Sequence, residues 1–221
     1  MSRKEIDIKC KDIVEGVLKA TLEQVPYVNF FVSAVGKVKE GVVQRRFESW
    51  QEMVGKRLAT LEKTVFKSLG DNETFATTLV KTTELVAKSN QRKMELLANA
   101  VKCVANNDVE EDYIIMFLKY IEGYSLSHLR LIQYFNNPND YYIEGKCYEM
   151  PSPMTLYKDT YSTSSKDDGL LRIIVRDLQN DGLLDGDNLY NATIPNYALA
   201  QRTTDMGRKF IDFFGLNNAE L

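Results

Sequence analysis

The sequence has little histidine and little cysteine, which limits the chemistry it can carry. His128 is the single histidine among 221 residues. A histidine-rich metal centre is therefore excluded, and any Ser-His-Asp triad would depend on that one residue. The three cysteines are far apart and show no CxxC spacing, which argues against a zinc site and a disulfide framework and predicts reduced thiols. They are Cys10, Cys103 and Cys147.

Nucleotide-binding and metalloprotease motifs are also missing. The chain contains no GxxxxGK[ST], no GxGxxG and no HExxH pattern. We therefore expect no catalytic residues, no cofactor and no metal, and we predict a non-enzymatic protein.

Long apolar runs and a strong excess of one charge are absent too. No window approaches the roughly 18 apolar residues of a spanning helix, and the first ten residues, MSRKEIDIKC, are charged where a signal peptide needs an apolar core. These features predict a cytoplasmic protein. The formal net charge is −3, so nucleic acid or an anionic membrane would have to bind a local patch.

What the sequence does contain is helical periodicity. Over residues 1–137, apolar side chains recur at steps of three and four residues, which predicts an α-helical bundle of five or six helices, the first over Ile6–Leu22. A long second segment begins near Pro26. It is either one rod of about 40 residues or two helices, with a bend or break expected near one of its glycines. These are Gly36, Gly41 and Gly55.

Capping residues mark further helix starts. Asp71-Asn72 is expected to cap a third helix and Ser125 a sixth, and Asp108 with Glu111 resembles a capping box for the fifth. From Asn136 the helical period is lost. Residues 138–165 are rich in tyrosine and in turn-forming residues, and we interpret them as an irregular connector.

Residues 166–221 have the pattern of a small winged-helix-like (α+β) domain. A first helix is expected to bury one apolar face, made of Leu170, Leu171, Ile174, Val175 and Leu178. The turn Asp185–Asn188 and the alternating segment Tyr190–Leu199 then suggest a hairpin or wing. Thr203 or Thr204 is expected to cap a last helix that ends at Gly215.

In a winged helix, the helix before the wing usually enters the major groove of DNA. This makes Arg172, Arg176 and Gln179 the candidate DNA contacts. The charge opposes that function, because residues 146–221 carry 8 basic and 11 acidic side chains, and phosphate neutralisation supplies most non-specific affinity. Four of these acids are expected on the same face, namely Asp177, Asp181, Asp185 and Asp187. A protein-contact surface is the favoured interpretation.

The most basic stretch lies earlier, with 8 basic and 4 acidic residues between positions 37 and 67. Its candidate contacts for a nucleic acid or a partner are Arg45, Arg46, Lys56 and Arg57. Together with the apolar Pro26–Val43 segment, this stretch is compatible with binding to an anionic membrane surface. A solvated helix face beside a core stripe is the simpler interpretation, and the long helix is also a candidate for homo-oligomer contacts.

Two further features have simple structural explanations. Four carboxylates lie between Asp108 and Asp112, where a helix begins and its dipole stabilises negative charge. His128 lies near Ser125 and Ser127 but lacks a nucleophile-elbow motif, so we expect a surface or half-buried histidine.

Several stretches resemble a known group of proteins. They are SNQRKMELLANAVKCVANN (89–107), EEDYIIMFLKYIEGYSLSHLRLIQYFNNP (110–138), TTDMGRKFIDFFG (203–215) and, in style, PYVNFFVSAVGKVKEGVVQRRFESW (26–50). Taken along the chain, these stretches resemble bacterial and phage-associated helical proteins of the abortive-infection alpha type, in which a bundle precedes a winged-helix-like end. The resemblance implies a role in phage–host conflict and supplies no catalytic residues. The chain departs from that group in lacking a glycine-dense apolar stretch, which argues against membrane perforation.

The sequence therefore favours a non-enzymatic bacterial or phage protein that binds another protein, in phage defence or its regulation. A winged-helix DNA-binding regulator and a membrane-acting effector are the two alternatives.

Overall fold

The computed structural model describes residues 36–61, 65, 69, 72–141, 149–162, 168–186 and 188–218. The helix expected over Ile6–Leu22 and most of the Pro26–Val43 segment lie outside these residues. The α-helices are α1 Gly36–Leu58, α2 Glu73–Val86, α3 Gln91–Asn106, α4 Glu111–Gly123, α5 Leu126–Asn136, α6 Pro153–Tyr161, α7 Asp168–Asn180, α8 Pro195–Ala198 and α9 Asp205–Phe214. Short 3-10 helices cover Pro138–Tyr141 and Leu216–Asn218.

The chain is mainly helical, as its periodicity predicts. Within the described residues there is no β-strand, and the one β-pairing is an isolated antiparallel bridge between Leu184 and Thr203. None of the described helices is both long enough and apolar enough to cross a membrane.

The chain divides into two compact units, Met1–Glu122 and Gly123–Leu221. In the first unit, α1 packs on α3 and, less extensively, on α2. The packing stripe of α1 follows helical spacing and is buried throughout: Val43, Phe47, Trp50, Val54 and Leu58. This stripe is an internal core surface of its own unit, and the predicted homo-oligomer contact through the long helix remains a prediction.

Helix α1 continues through Gly41 and Gly55 and ends at Leu58, three residues after Gly55. A single rod that continues beyond residue 58 is therefore wrong, and the helix ends near one of the three glycines. Its interior glycines are tolerated because the buried stripe fixes the helix against α3. Helix α2 begins where the sequence places a cap, since Asn72 Oδ1 accepts the Phe75 N–H. The capping box at Asp108 is a wrong prediction, because α4 begins three residues later, at Glu111.

The second unit is built on α5, which contacts both α7 and α9. Its core contains Leu129, Ile132, Phe135, Ile174, Leu178, Phe210 and Phe214. Thr204 caps α9 by accepting the Gly207 N–H, and Gly215 ends the helix in the left-handed conformation at φ 63°, as the sequence predicts. The boundary predicted from the sequence lies inside this unit, and the interpretation of 1–137 and 166–221 as separate domains remains a prediction.

The tyrosine-rich connector contains regular structure that the sequence interpretation missed. Ser152 caps the nine-residue helix α6, whose first residue is Pro153. Tyr157 of α6 packs edge-on against Tyr134 of α5, with ring centroids 5.2 Å apart. Tyr157, which is 3% exposed, therefore belongs to the core of the unit.

The predicted wing is not formed as a hairpin. Tyr190–Leu199 was expected to alternate as a strand, but it forms a turn followed by α8, with Pro195 at the first helical position. Proline fixes φ and lacks the N–H that a ladder needs, so this residue favours a helix start over a strand. Leu184 and Thr203 form the single β-bridge found among the described residues.

Candidate functional site: the outer face of helix α7

Helix α7 has one buried and one outer face. At about 100° per residue, Leu171, Ile174, Val175 and Leu178 form a single stripe, and all four are buried. Leu170 was expected to belong to that stripe, but it is 54% exposed. It lies about 100° around the helix from Leu171, which turns its side chain away from the core.

Four exposed side chains form what we call the α7 ridge: Leu170, Arg172, Ile173 and Arg176. Ile173 is 47% exposed. Each apolar member has an arginine two or three positions along the chain, so the surface combines aliphatic contact area with positive charge. Large exposed aliphatic side chains that lie one turn apart are typical of contact surfaces when they cluster.

Two carboxylates near the C-terminal end of α7 have partners close to α5. Asp181 Oδ2 accepts a hydrogen bond from Tyr124 Oη at 2.6 Å. Asp177 Oδ2 lies 3.5 Å from His128 Nε2. Asp181 is thus engaged by Tyr124. The Asp177 side chain is 41% exposed and, four residues after Ile173, it borders the ridge. Asp185 is exposed beyond the end of α7, and Asp187 lies outside the described residues.

Arg172 is held in place by an aromatic ring. Its Cζ atom lies 4.1 Å from the centroid of Tyr190, within the range of a cation–π contact. Burial raises the pKa of Tyr190, Arg172 opposes this shift, and the Asp168 carboxylate adds to it. Asp168 itself forms an ion pair with Lys158 of α6. The segment that replaces the predicted wing thus positions an arginine on the ridge.

The other two candidate DNA contacts differ from each other. Arg176 is exposed and makes no hydrogen bond or ion pair within the part of the chain that the structure describes. Gln179 is half-buried, and its Nε2 donates to the Gly186 carbonyl at 2.7 Å. Gln179 therefore holds the turn after α7, whereas Arg176 can bind an external group.

The basic residues of α1 separate into two groups. Arg46 donates to the Ala87 carbonyl at 2.7 Å, at the end of α2. Arg57 donates to Asn99 Oδ1 at 2.6 Å and to the Glu95 carbonyl at 3.3 Å, both on α3. Burial lowers the pKa of Arg57, and the Glu95 carboxylate opposes that shift. These two arginines join the helices of the first unit.

The remaining pair on α1 is exposed. Arg45 donates to the Gly41 carbonyl of its own helix. Lys56 pairs with Glu52 at 2.7 Å, with 73% of the lysine side chain exposed. Because two of the four predicted contacts are used within the unit, α1 does not present the continuous basic face that its sequence suggests.

Ser125, His128 and Asp177 are the three residue types of a Ser-His-Asp triad and lie close together. Their hydrogen bonds do not support that function. His128 Nδ1 accepts the Ser125 main-chain N–H at 3.2 Å and lies 2.8 Å from the Ser125 hydroxyl. Since a main-chain amide can only donate, Nδ1 is already an acceptor and is not available as a base for the serine. The histidine caps α5 and stacks on Tyr124 at 4.9 Å, a half-buried structural role of the kind expected from the sequence.

One small pocket in the first unit is lined partly by lysines. Lys88 pairs with the Glu122 carboxylate at 3.3 Å, and Lys93 donates to the Glu122 carbonyl at 3.1 Å. Both cations are thus used internally. Among the described residues, no three His, Cys, Asp or Glu side chains group closely enough to hold a metal ion.

Sequence reasoning identified the two arginines of the ridge and missed its apolar half. The signal was present, because a helical wheel started at Asp168 places Leu170 and Ile173 outside the buried stripe. The sequence interpretation also missed Tyr190 as the partner of Arg172. These positions are 18 residues apart, so no local pattern encodes their contact.

Comparison with protein-family models gives no match for this chain. The curated proteins and the solved structures likewise contain no match. The site is therefore interpreted from its own geometry.

Proposed function

We propose that this protein acts without catalysis, by binding another protein through the α7 ridge. The observation that carries the proposal is the pairing of exposed Leu170 and Ile173 with two arginines on one helix face. Burial of aliphatic surface supplies affinity, and charged groups at its margin supply specificity. The resemblance to abortive-infection proteins suggests phage–host conflict in the cytoplasm as the setting.

The test compares two exposed isoleucines. Ile173 on the ridge and Ile115 on α4 are 47% and 43% exposed, so an aspartate at either position places the same charge at a similarly solvated site. In extracts of the native host, we expect the wild-type chain to elute from a size-exclusion column ahead of its purified 25.3 kDa form. Ile173→Asp should return it to the purified position, and Ile115→Asp should not. Equal behaviour of both variants would remove the proposal.

Binding to DNA is the second candidate, and a specific observation favours it. Among the described residues Arg176 makes no hydrogen bond or ion pair, so its charge is available to a phosphate. A mobility-shift assay with random duplex at low salt, where phosphate contacts are strongest, tests this function. Retardation that is lost in Arg172→Ala/Arg176→Ala would support it, and no retardation would exclude it.

A further inference from the structure

We infer that the segment bound by the α7 ridge is an amphipathic helix with carboxylates along one edge, an inference that rests on the function proposed above. The occupant is thus defined by two chemical features, an apolar stripe and a row of acids. Each follows from the part of the ridge that it meets.

The apolar feature comes from Leu170 and Ile173. Residues three apart on a helix differ by about 4.5 Å in height, so these two side chains form a short apolar row along the axis of α7. A second helix fits such a ridge into the groove between its own side chains at steps of three and four residues. An extended peptide would instead alternate its side chains and would lack an unpaired strand edge here, because no strand occurs in the described part of the unit.

The acidic feature comes from Arg172 and Arg176. They are four residues apart, or about 6 Å along the axis. Around the helix, both lie on the side of Ile173 that is away from Leu170. Tyr190 covers one face of the Arg172 guanidinium at 4.1 Å, which leaves the N–H groups at its edge able to donate. Arginine matches the geometry of carboxylates with paired hydrogen bonds. Acids at steps of three or four residues on a partner helix repeat at the spacing of the two arginines.

Charge and apolar surface together favour this occupant over duplex DNA. The stretch 146–221 carries 8 basic and 11 acidic residues, which opposes a long phosphate backbone. An acidic helix needs only the two arginines. It also covers Leu170 and Ile173, which are 54% and 47% exposed and would gain little from a hydrated phosphate surface.

Three labelled synthetic helical peptides test the inference. They share one leucine stripe and carry glutamate, glutamine or lysine along one edge, and binding to the full chain is followed by fluorescence anisotropy. We expect the glutamate peptide to bind most tightly, the glutamine peptide less tightly and the lysine peptide least tightly. Each arginine–carboxylate contact should change the dissociation constant about fivefold. Arg176→Glu should reverse the order. Lys119→Glu makes the same charge change on exposed α4 and should leave the order unchanged.

A second variant guards against a folding defect. Arg176→Gln removes the charge without adding another, and it should narrow the glutamate preference while circular dichroism stays that of the wild type. Equal binding of the three peptides, or an unchanged order in Arg176→Glu, would overturn the inference. So would a random duplex that binds more tightly than the glutamate peptide at the same salt concentration. If none of the peptides binds while Ile173→Asp still shifts the chain to the elution position of the purified form, the acidic helix is the wrong partner. Association with another protein would still be supported.

Discussion

Neighbouring residues on one helix have very different structural roles. Arg57 joins α1 to α3 through Asn99 and the Glu95 carbonyl, whereas Lys56 makes only an exposed pair with Glu52 among the described residues. Composition alone would count both as members of a basic face. Burial and partners decide which of them is available to another molecule.

The first prediction follows from this contrast. Arg57→Ala should lower the free energy of unfolding by about 1.5–3 kcal/mol, because charge-assisted hydrogen bonds and the packing of the side chain are lost together. Lys56→Ala should change it by less than about 0.5 kcal/mol. Urea denaturation of both variants measures this difference, and similar losses for the two would contradict the assigned roles.

Tyr157 provides a prediction for alkaline pH. Burial raises its pKa to about 12, and Arg130 opposes that shift only in part. The native state therefore keeps a proton that the unfolded chain releases near pH 10, so this contribution to stability is complete below pH 10 and is lost as the pH rises towards 12. Tyr157→Phe should show a smaller fall of the urea midpoint between pH 9 and 11.5 than the wild type. An identical fall would show that the tyrosine titrates alike in both states.

At the level of the helices, α9 approaches the backbone of Leu183 closely at a glycine, Gly207. A Cβ atom at Gly207 of α9 would lie 2.1 Å from the Leu183 carbonyl oxygen, whereas one at Gly169 of α7 would have no heavy atom within 4 Å. The Leu183 carbonyl is backbone next to the Leu184–Thr203 bridge, so it cannot move aside as a flexible side chain can. The first turn of α9 is therefore fixed by a residue without a side chain.

The third prediction compares these two glycines. Gly207→Ala should destabilise the protein by about 3 kcal/mol through forced displacement of backbone. Gly169→Ala should stabilise it by about 0.5–1 kcal/mol, since alanine has the higher helix propensity in open space. Thermal unfolding of both variants distinguishes them, and a tolerated Gly207→Ala would contradict the tight packing of α9.

The helices show what sequence reasoning can and cannot reach. Asn72 and Thr204 cap their helices as expected, because a cap depends on residues within one turn. Ser125 is the N-cap residue of α5, and its main-chain N–H donates to His128 Nδ1. The strand expected over Tyr190–Leu199 is a wrong prediction, because Pro195 starts the short helix α8 within that segment. Helix α6 was missed although Ser152 and Pro153 are a local start signal, because a helix of nine residues offers too short a period to detect.

At the level of the whole molecule, each unit has a core of its own. The second unit buries aromatic residues from several helices, among them Phe135, Phe210 and Phe214. It also fixes the ends of its helices internally. Asn136 Oδ1 accepts from Thr203 Oγ1 at 2.8 Å, and Gln133 Nε2 donates to the Leu216 carbonyl at 2.6 Å. A unit with an internal core and internal polar contacts meets the physical criteria for a domain.

The fourth prediction is that residues 123–221 fold alone. The isolated fragment should show a helical circular dichroism spectrum and a single cooperative thermal transition. Phe210→Ala should weaken that transition strongly, since truncating a buried phenylalanine costs about 3–5 kcal/mol. A fragment that melts without cooperativity would show that the unit is not an independent domain.

Site-specific photo-crosslinking in the native host tests protein association through the α7 ridge most directly. A photoreactive phenylalanine is placed at Ile173 on the ridge and, as a control, at exposed Asp159 of α6. We predict a discrete covalent protein adduct from position 173 that disappears when Arg176→Glu is combined with it, and no such adduct from position 159. Adducts of equal yield from both positions, or none from position 173, would contradict the proposed function.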